Sequence, residues 1–260
     1  MDYWQRRNLK AQEAVSNKSI KEIEKQLAKY YRATAKRAMR DFEATYDKLL
    51  ATAAAGQLPT PADLYKLDKY WQMQGQLKHE LQRLGDQSID LLQKAFVKQY
   101  IEVYNSLYLP SQAAFASVDR AMALQMINSI WCADGKSWSS RVWKNTDNLI
   151  EALNGELIQC VVTGKKTTEL KHLLQERFDV NYREADRLVR TEIAHIQTQA
   201  AQKRYEDYGI QEVEVWVDED ERTCPICAKH EGERHKISER MPVPFHPNCR
   251  CCMIPVIEID

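Results

Sequence analysis

The chain has 260 residues, with 37 lysines and arginines balanced by 37 aspartates and glutamates and 44% hydrophobic residues. That is enough apolar material for one large or two smaller cores, and the formal charge of zero removes any bulk electrostatic argument for a polyanionic partner. Few glycines and prolines beside many charged residues favour helices, no run of about 18 apolar residues marks a membrane span, and Met1-Asp-Tyr-Trp-Gln-Arg-Arg7 lacks the apolar core of a signal peptide.

The first segment has the pattern of a long helix. Ile20, Ile23, Leu27, Tyr30, Ala38, Phe42, Tyr46 and Leu49 recur at steps of three, four or their sums. The stretch from Lys18 to Arg40 between them is locally basic, and Lys29, Arg32, Lys36, Arg37 and Arg40 are candidate contacts to DNA or a protein partner. The plain alternative is a solvated helix face. Gln57-Leu-Pro-Thr-Pro61 breaks the pattern, and Thr60 is placed to cap a new helix with Pro61 at its first position.

The second helical run extends past Tyr70 and Trp71 to about Leu84, where Gly85-Asp-Gln87 is expected to interrupt or kink it. Another run carries Ile89, Leu92, Phe96, Tyr100 and Tyr104, with Pro110 closing it. Tyr100, Tyr104 and Tyr108 fall on one helix face, a spacing that points to core. Asp134-Gly-Lys-Ser137 has turn composition, and Ser137 or Ser139 can cap the helix that follows. Gly164-Lys-Lys166 is a helix stop, with Gly near the C′ position and lysines beside it. It is not a phosphate loop, because Gln159 stands where the first glycine belongs. Thr167 or Thr168 then starts a helix expected to end near Phe178. Asn181-Tyr-Arg-Glu184 resembles a capping box opening another, with Ala185, Leu188, Val189, Ile193, Ile196 and Ala200 on one face and Gly209 as terminator. Glu192, mid-helix, is expected to pair locally with Arg187 or His195, the alternative being a lone functional carboxylate.

After Gly209 the period changes to two: Val213, Val215 and Val217 alternate with Glu212, Glu214 and Trp216 as in a strand. Cys252-Met-Ile-Pro-Val-Ile-Glu-Ile259 is a second strand, and Asp218 to Arg222 a turn. Two strands are too few to stand alone. Seven cysteines, five of them near one end, do not form a secreted disulfide framework and fit folding in a reducing cytoplasm. Cys224-Pro-Ile-Cys227 and His246-Pro-Asn-Cys249 pair a C-x2-C knuckle with an H-x2-C knuckle. Two ligands on one tight turn chelate an ion and a second turn closes the tetrahedron, so the expected cofactor is structural Zn2+. Four protein ligands leave no position for a reactive water. Cys251 is an alternative to Cys249 as the fourth ligand; if Cys249 serves, Cys251 is expected to turn into the small core. A bound ion would supply the stability that the strand pair lacks.

The fold class is therefore mainly α (α+β): an elongated helical N-terminal half, a helical middle and a small C-terminal zinc-stapled β-hairpin. Residues 1–110 form a helical docking or DNA-proximal region. Residues 111–260 form a second domain, with the zinc module at about 210–257. No ligand precedes Pro59, which makes the first helix separable from the zinc module.

The order Arg190-Thr-Glu192, Tyr205, Gly209, Trp216, Asp220-Glu-Arg-Thr-Cys-Pro-Ile-Cys227, Gly232, His246-Pro-Asn-Cys-Arg-Cys251 and Pro255 resembles the phage Mu F-like minor head proteins of tailed bacteriophages and prophages. The resemblance covers roughly the C-terminal half; Cys252 departs from the pattern. It implies a non-catalytic minor capsid protein in the capsid interior at the portal vertex, reached from the host cytoplasm during assembly. Its partners would be the portal protein, with the scaffold, the major capsid protein and double-stranded DNA as further candidates, and no membrane. Some relatives carry toxin or enzyme domains after the head domain; the chain ends soon after Pro255, which is expected to exclude such a fusion here.

The competing reading is a zinc-stapled nuclease or DNA-binding protein, with His230 and His235 between the knuckles as its catalytic candidates. A zinc deaminase fits worse. It needs H-x-E ahead of P-C-x-x-C, whereas here the C-x2-C comes first and Thr223 precedes it.

Overall fold

The computed structural model describes residues 2–52, 58–109, 117–217, 220–221, 223–239 and 241–257. Pro110, Asp218, Arg222 and the end of the second strand beyond residue 257 lie outside them. The chain is mostly helical. The order is α1 (Tyr3–Thr52), α2 (Pro61–Tyr65), α3 (Asp68–Ser106), α4 (Arg120–Ile127), α5 (Trp138–Thr163), α6 (Thr167–Asp207), β1 (Glu212–Trp216), α7 (Pro225–Ala228), β2 (Arg234–Lys236) and β3 (Cys252–Pro255). No described helix is long and apolar enough to cross a membrane.

Two compact units are built from interleaved segments, so each draws residues from both sides of position 110. One comprises residues 25–90 and 139–185, the other residues 1–24, 91–138 and 186–260. In the first, four helical stretches share a core. Tyr31, Ala35, Phe42, Tyr46 and Leu49 come from α1, Met73, Leu77, Leu81 and Leu84 from α3, Leu149, Leu153 and Leu157 from α5, and Leu170, Leu174 and Phe178 from α6. These positions follow the helical period, and neither α1 nor α6 contains a glycine or proline to break it.

The helix punctuation is largely local. Thr60 forms a capping box with Asp63: its hydroxyl accepts from the Asp63 N–H at 3.3 Å, and the Asp63 carboxylate accepts from the Thr60 N–H at 3.0 Å. α5 ends on Gly164 at φ +63°, with Lys165 N–H bonded back to the Cys160 carbonyl at 3.1 Å. α6 ends the same way on Gly209 at φ +77°, with Ile210 N–H bonded to the Tyr205 carbonyl at 3.0 Å. Both turns need a left-handed residue that glycine adopts without strain.

Two expected breaks are absent. α3 is not interrupted at Gly85, whose missing side chain has a packing reason: a Cβ there would lie 2.6 Å from the Trp143 ring. α6 passes through both Phe178 and Asn181. Asn181 is buried mid-helix, accepting from the Tyr31 hydroxyl at 2.8 Å and donating to the Asn145 carbonyl at 2.7 Å. Partners on other helices, rather than its own helix N-terminus, satisfy its amide. Tyr100 and Tyr104 are buried as their spacing requires, but Tyr108 lies beyond the end of α3 and is exposed.

In the second unit the C-terminal strands form a three-stranded antiparallel sheet of order β2-β1-β3 rather than a lone hairpin. β1 is as its alternation predicts, with Val213 and Val215 fully buried. β2 pairs Glu212 with Lys236 and Glu214 with Arg234. Its Arg-His-Lys sequence has no apolar alternation, because an edge strand is held by main-chain hydrogen bonds and keeps charges outward. The other edge is covered by α1. Leu9 packs with Cys252 and Ile254, Gln5 Nε2 donates to the Pro255 carbonyl at 2.9 Å, and Gln12 Nε2 donates to the Met253 carbonyl at 3.2 Å. The start of the first helix is therefore part of the C-terminal module, which corrects the expectation that it is separable.

Candidate metal centre

The first knuckle is a turn capped by its own ligand. Asp220 and Thr223 close a turn through two bonds of 3.0 Å, Thr223 N–H to the Asp220 carbonyl and Asp220 N–H to the Thr223 hydroxyl. Cys224 then sits at the N-cap of α7, its sulfur accepting from the Cys227 N–H at 3.3 Å, with Pro225 at the first helical position. Proline has no N–H to lose there and its ring holds φ near the helical value. The second knuckle closes through Cys249 N–H to the His246 carbonyl at 3.2 Å, with Asn248 at φ +62°.

The fold brings the two turns together. His246 Nε2 lies 3.0 Å from both Cys224 Sγ and Cys227 Sγ, and Cys227 Sγ lies 3.7 Å from Cys249 Sγ. The donor atoms fall into two groups sharing Cys227, one with Cys224 and His246, the other with Cys249 and Cys251. The sulfur–sulfur separation is far too long for a disulfide and close to the edge of about 3.8 Å that two thiolates subtend on a tetrahedral zinc. Nδ1 of His246 lies 2.7 Å from the Pro247 carbonyl. A carbonyl can only accept, so Nδ1 carries the proton and the Nε2 lone pair faces the sulfurs. Each group of three thus has the chemistry to hold a metal ion, and Cys227 belongs to both.

The electrostatics of the thiols agree. Cys249 is held down to about 5, first by the hydrogen bond from the Cys251 thiol and against the effect of its burial. Cys251 is pushed well up by that same bond and by burial, and burial pushes Cys227 up to about 12. Crowded thiols cannot all ionise, so Cys249 ionises ahead of Cys227 and Cys251, while the Cys227 backbone N–H holds Cys224 below the usual thiol range. A divalent cation would draw the protons from its other ligands, since the thiolate is the binding form.

The expected direction of Cys251 needs correction. Its sulfur faces Cys227 and Cys249, and it is Cys252 that enters the small core with Leu9 and Ile254. Consecutive residues entering a strand point to opposite faces, so only one of Cys251 and Cys252 can face the cluster.

Arg190-Thr-Glu192, whose role is invisible in the sequence, lies against the knuckles. The Thr191 hydroxyl accepts from the Asn248 N–H at 3.2 Å and donates to the Arg187 carbonyl at 2.7 Å. Arg190 bonds Asp186 at 3.0 Å and also Glu24. Glu192, almost fully buried, accepts from the Trp131 indole N–H at 3.0 Å, and the Trp131 ring stacks on His195. This partner is 61 positions away in the chain, beyond any helical spacing. Arg250 clamps Asp220 with two bonds of 2.9 and 2.5 Å, tying the second knuckle to the first.

His230 and His235 both face Glu233, at 2.8 and 3.8 Å, and His230 stacks on Phe245. On α1, Lys29, Arg32, Lys36 and Arg40 are exposed, whereas Arg37 is half-buried and paired with Glu80 at 2.7 Å.

A mainly helical chain whose small terminal sheet is gathered around a Cys/His cluster is a structural class, and the comparisons supply the family. Residues 151–254 match the family model described as Phage Mu protein F like protein, so this part of the chain is a Mu F-like domain. The chain is also 26% identical over 142 residues to the NAD(+)–arginine ADP-ribosyltransferase EFV of Enterococcus faecalis. That alignment takes in 48% of this chain and 29% of the relative, so the chain spans less than a third of that protein's length. No solved structure matches the chain.

Proposed function

We propose that this chain is a structural minor protein of the head of a tailed phage or prophage, carried in few copies inside the capsid at the portal vertex, with no catalytic turnover of its own. The observation that carries the reading is coincidence: the Mu F-like match includes all five metal donors and the Arg190-Thr-Glu192 segment that braces them. Cys224, Cys227, His246 and Cys249 would hold Zn2+, which when bound supplies a cross-link between two turns. The chain's own residues do the rest. Thr191 holds the second knuckle, Arg250 and Asp220 hold the knuckles to each other, and Cys251 donates its thiol proton toward the Cys249 sulfur. Four protein donors leave no open coordination position, which is the physical ground for a structural role. The portal protein is the proposed partner, with the scaffold and major capsid proteins as further contacts.

Purified particles assembled with and without the portal test the assembly role. The protein should be found at low copy number in portal-containing heads and be missing from portal-less ones, and equal incorporation into both would overturn it. Elemental analysis of the purified chain should find about one zinc. Metal-dependent DNA cleavage lost in His230→Ala or His235→Ala would replace this reading with that of a nuclease.

A further inference from the structure

α1 carries a row of cations that the rest of the fold leaves unused. From Lys25 to Arg40 there is no aspartate or glutamate, although the whole chain is neutral. Lys25, Lys29, Arg32, Lys36 and Arg40 are all exposed. At 3.6 residues per turn they fall within an arc of about 80° and span about 22 Å of helix. The opposite face of the same stretch is core, through Leu27, Tyr31, Ala35 and Ala38. Among the described residues, Lys25, Lys29, Arg32 and Lys36 make no side-chain ion pair or hydrogen bond, and Arg40 has only an exposed contact of 3.3 Å with its neighbour Asp41. Arg32, Lys36 and Arg40 also form one wall of a groove of about 510 Å3, whose other wall is Lys171 and Gln175 of α6. The groove's carboxylate, Glu43, is bound to Lys171 at 2.7 Å.

We infer that this row binds the phosphodiester backbone of nucleic acid, without regard to sequence. Two observations favour a polyanion over a protein surface. A protein interface needs an apolar centre, yet no large apolar side chain exposed among the described residues lies between residues 4 and 49. The spacing also fits. Counting both strands, duplex DNA carries a phosphate per about 1.7 Å of axis, so about 22 Å holds about thirteen, and those on the facing side are enough for five cations. Lysine and arginine stems are long enough to absorb the mismatch of pitch. Contacts of this kind position a protein on the backbone and carry no base information.

This inference does not rest on the head-assembly reading, and the experiments separate them: incorporation into particles tests that reading, and binding by the purified chain tests this one. Anisotropy of a labelled duplex would be titrated with salt, using two unrelated sequences and a single strand as separate arms. Both duplexes should bind alike, with log K against log salt falling at a slope of about −4.5 for five neutralised phosphates. Arg32→Gln with Lys36→Gln should make the slope shallower by about 2. Lys136→Gln with Lys144→Gln, exposed cations outside the row, should leave it unchanged. Preference for the single strand would assign the row to that form of the same backbone. Three results would overturn the inference: no binding, a slope that the paired variant leaves unchanged, or capture of an acidic portal ring that the variant loses while nucleic acid never binds.

Discussion

Cysteines 249, 251 and 252 stand almost side by side in the chain and face three different situations. Cys249 is the thiol held ionised, Cys251 is its hydrogen-bond donor, and Cys252 is buried against Leu9 with Gln197 Nε2 donating to its sulfur at 2.8 Å. If Cys249 is the fourth ligand, its loss and that of Cys251 should differ. Cys249→Ser should release zinc to a chelator that leaves the parent loaded. Cys251→Ser should keep the ion, because a serine hydroxyl can still donate to the Cys249 sulfur. Metal content after dialysis against graded chelator measures both, and the reverse order would make Cys251 the ligand. The knuckle spacing alone could not separate these two, since both cysteines lie within one turn's reach of His246.

Glycines show how an element answers to its neighbours. Gly75 and Gly85 both lie inside α3, where glycine costs about 1 kcal/mol relative to alanine. A Cβ on Gly75 would meet nothing within 4 Å, whereas one on Gly85 would enter the Trp143 ring at 2.6 Å. Gly75→Ala should therefore stabilise by up to about 1 kcal/mol. Gly85→Ala should destabilise, because overpacking costs about 1–3 kcal/mol and exceeds the helix gain. Thermal denaturation of the two variants should give shifts of opposite sign. A Gly85 variant as stable as its parent would show that Trp143 moves aside at little cost. By composition alone Gly85-Asp-Gln87 has the features of a break, because the signal of a tolerated helical glycine is the ring packed on it, and that ring lies 58 positions further along the chain.

At the scale of the whole molecule, the C-terminal sheet depends on both ends of the chain. Its strands are three to five residues long, and its β3 edge is completed by Leu9, Gln5 and Gln12 of α1. Such a sheet cannot bury enough surface by itself. Chelation should open it while most helix remains, seen as cleavage concentrated after Gly209 in limited proteolysis with little change in helical circular dichroism. Leu9→Ala should have a related effect with the metal still present, at a cost of about 2–4 kcal/mol. Unchanged digestion in both cases would mean that the sheet is stable without either support.

Sequence by itself determined the parts whose partners are near in the chain. The helical periods, the Thr60 capping box, the glycine stops at Gly164 and Gly209, the alternation of β1 and the donor pairs of the knuckles all follow from contacts within a few residues. The order of those motifs was also enough to indicate the Mu F-like domain that the family model matches at residues 151–254. Only the tertiary structure decided what depends on distant partners. It shows Asn181 inside a helix, bonded to Tyr31 and Asn145, and β2 recruited by β1 despite its three charged or polar residues. It also shows Thr191 on Asn248, and Leu9 under Cys252. The physical reason is that propensity and spacing act over a turn or a strand, while a buried polar group or a sheet edge is satisfied by whichever segment the whole fold brings to it.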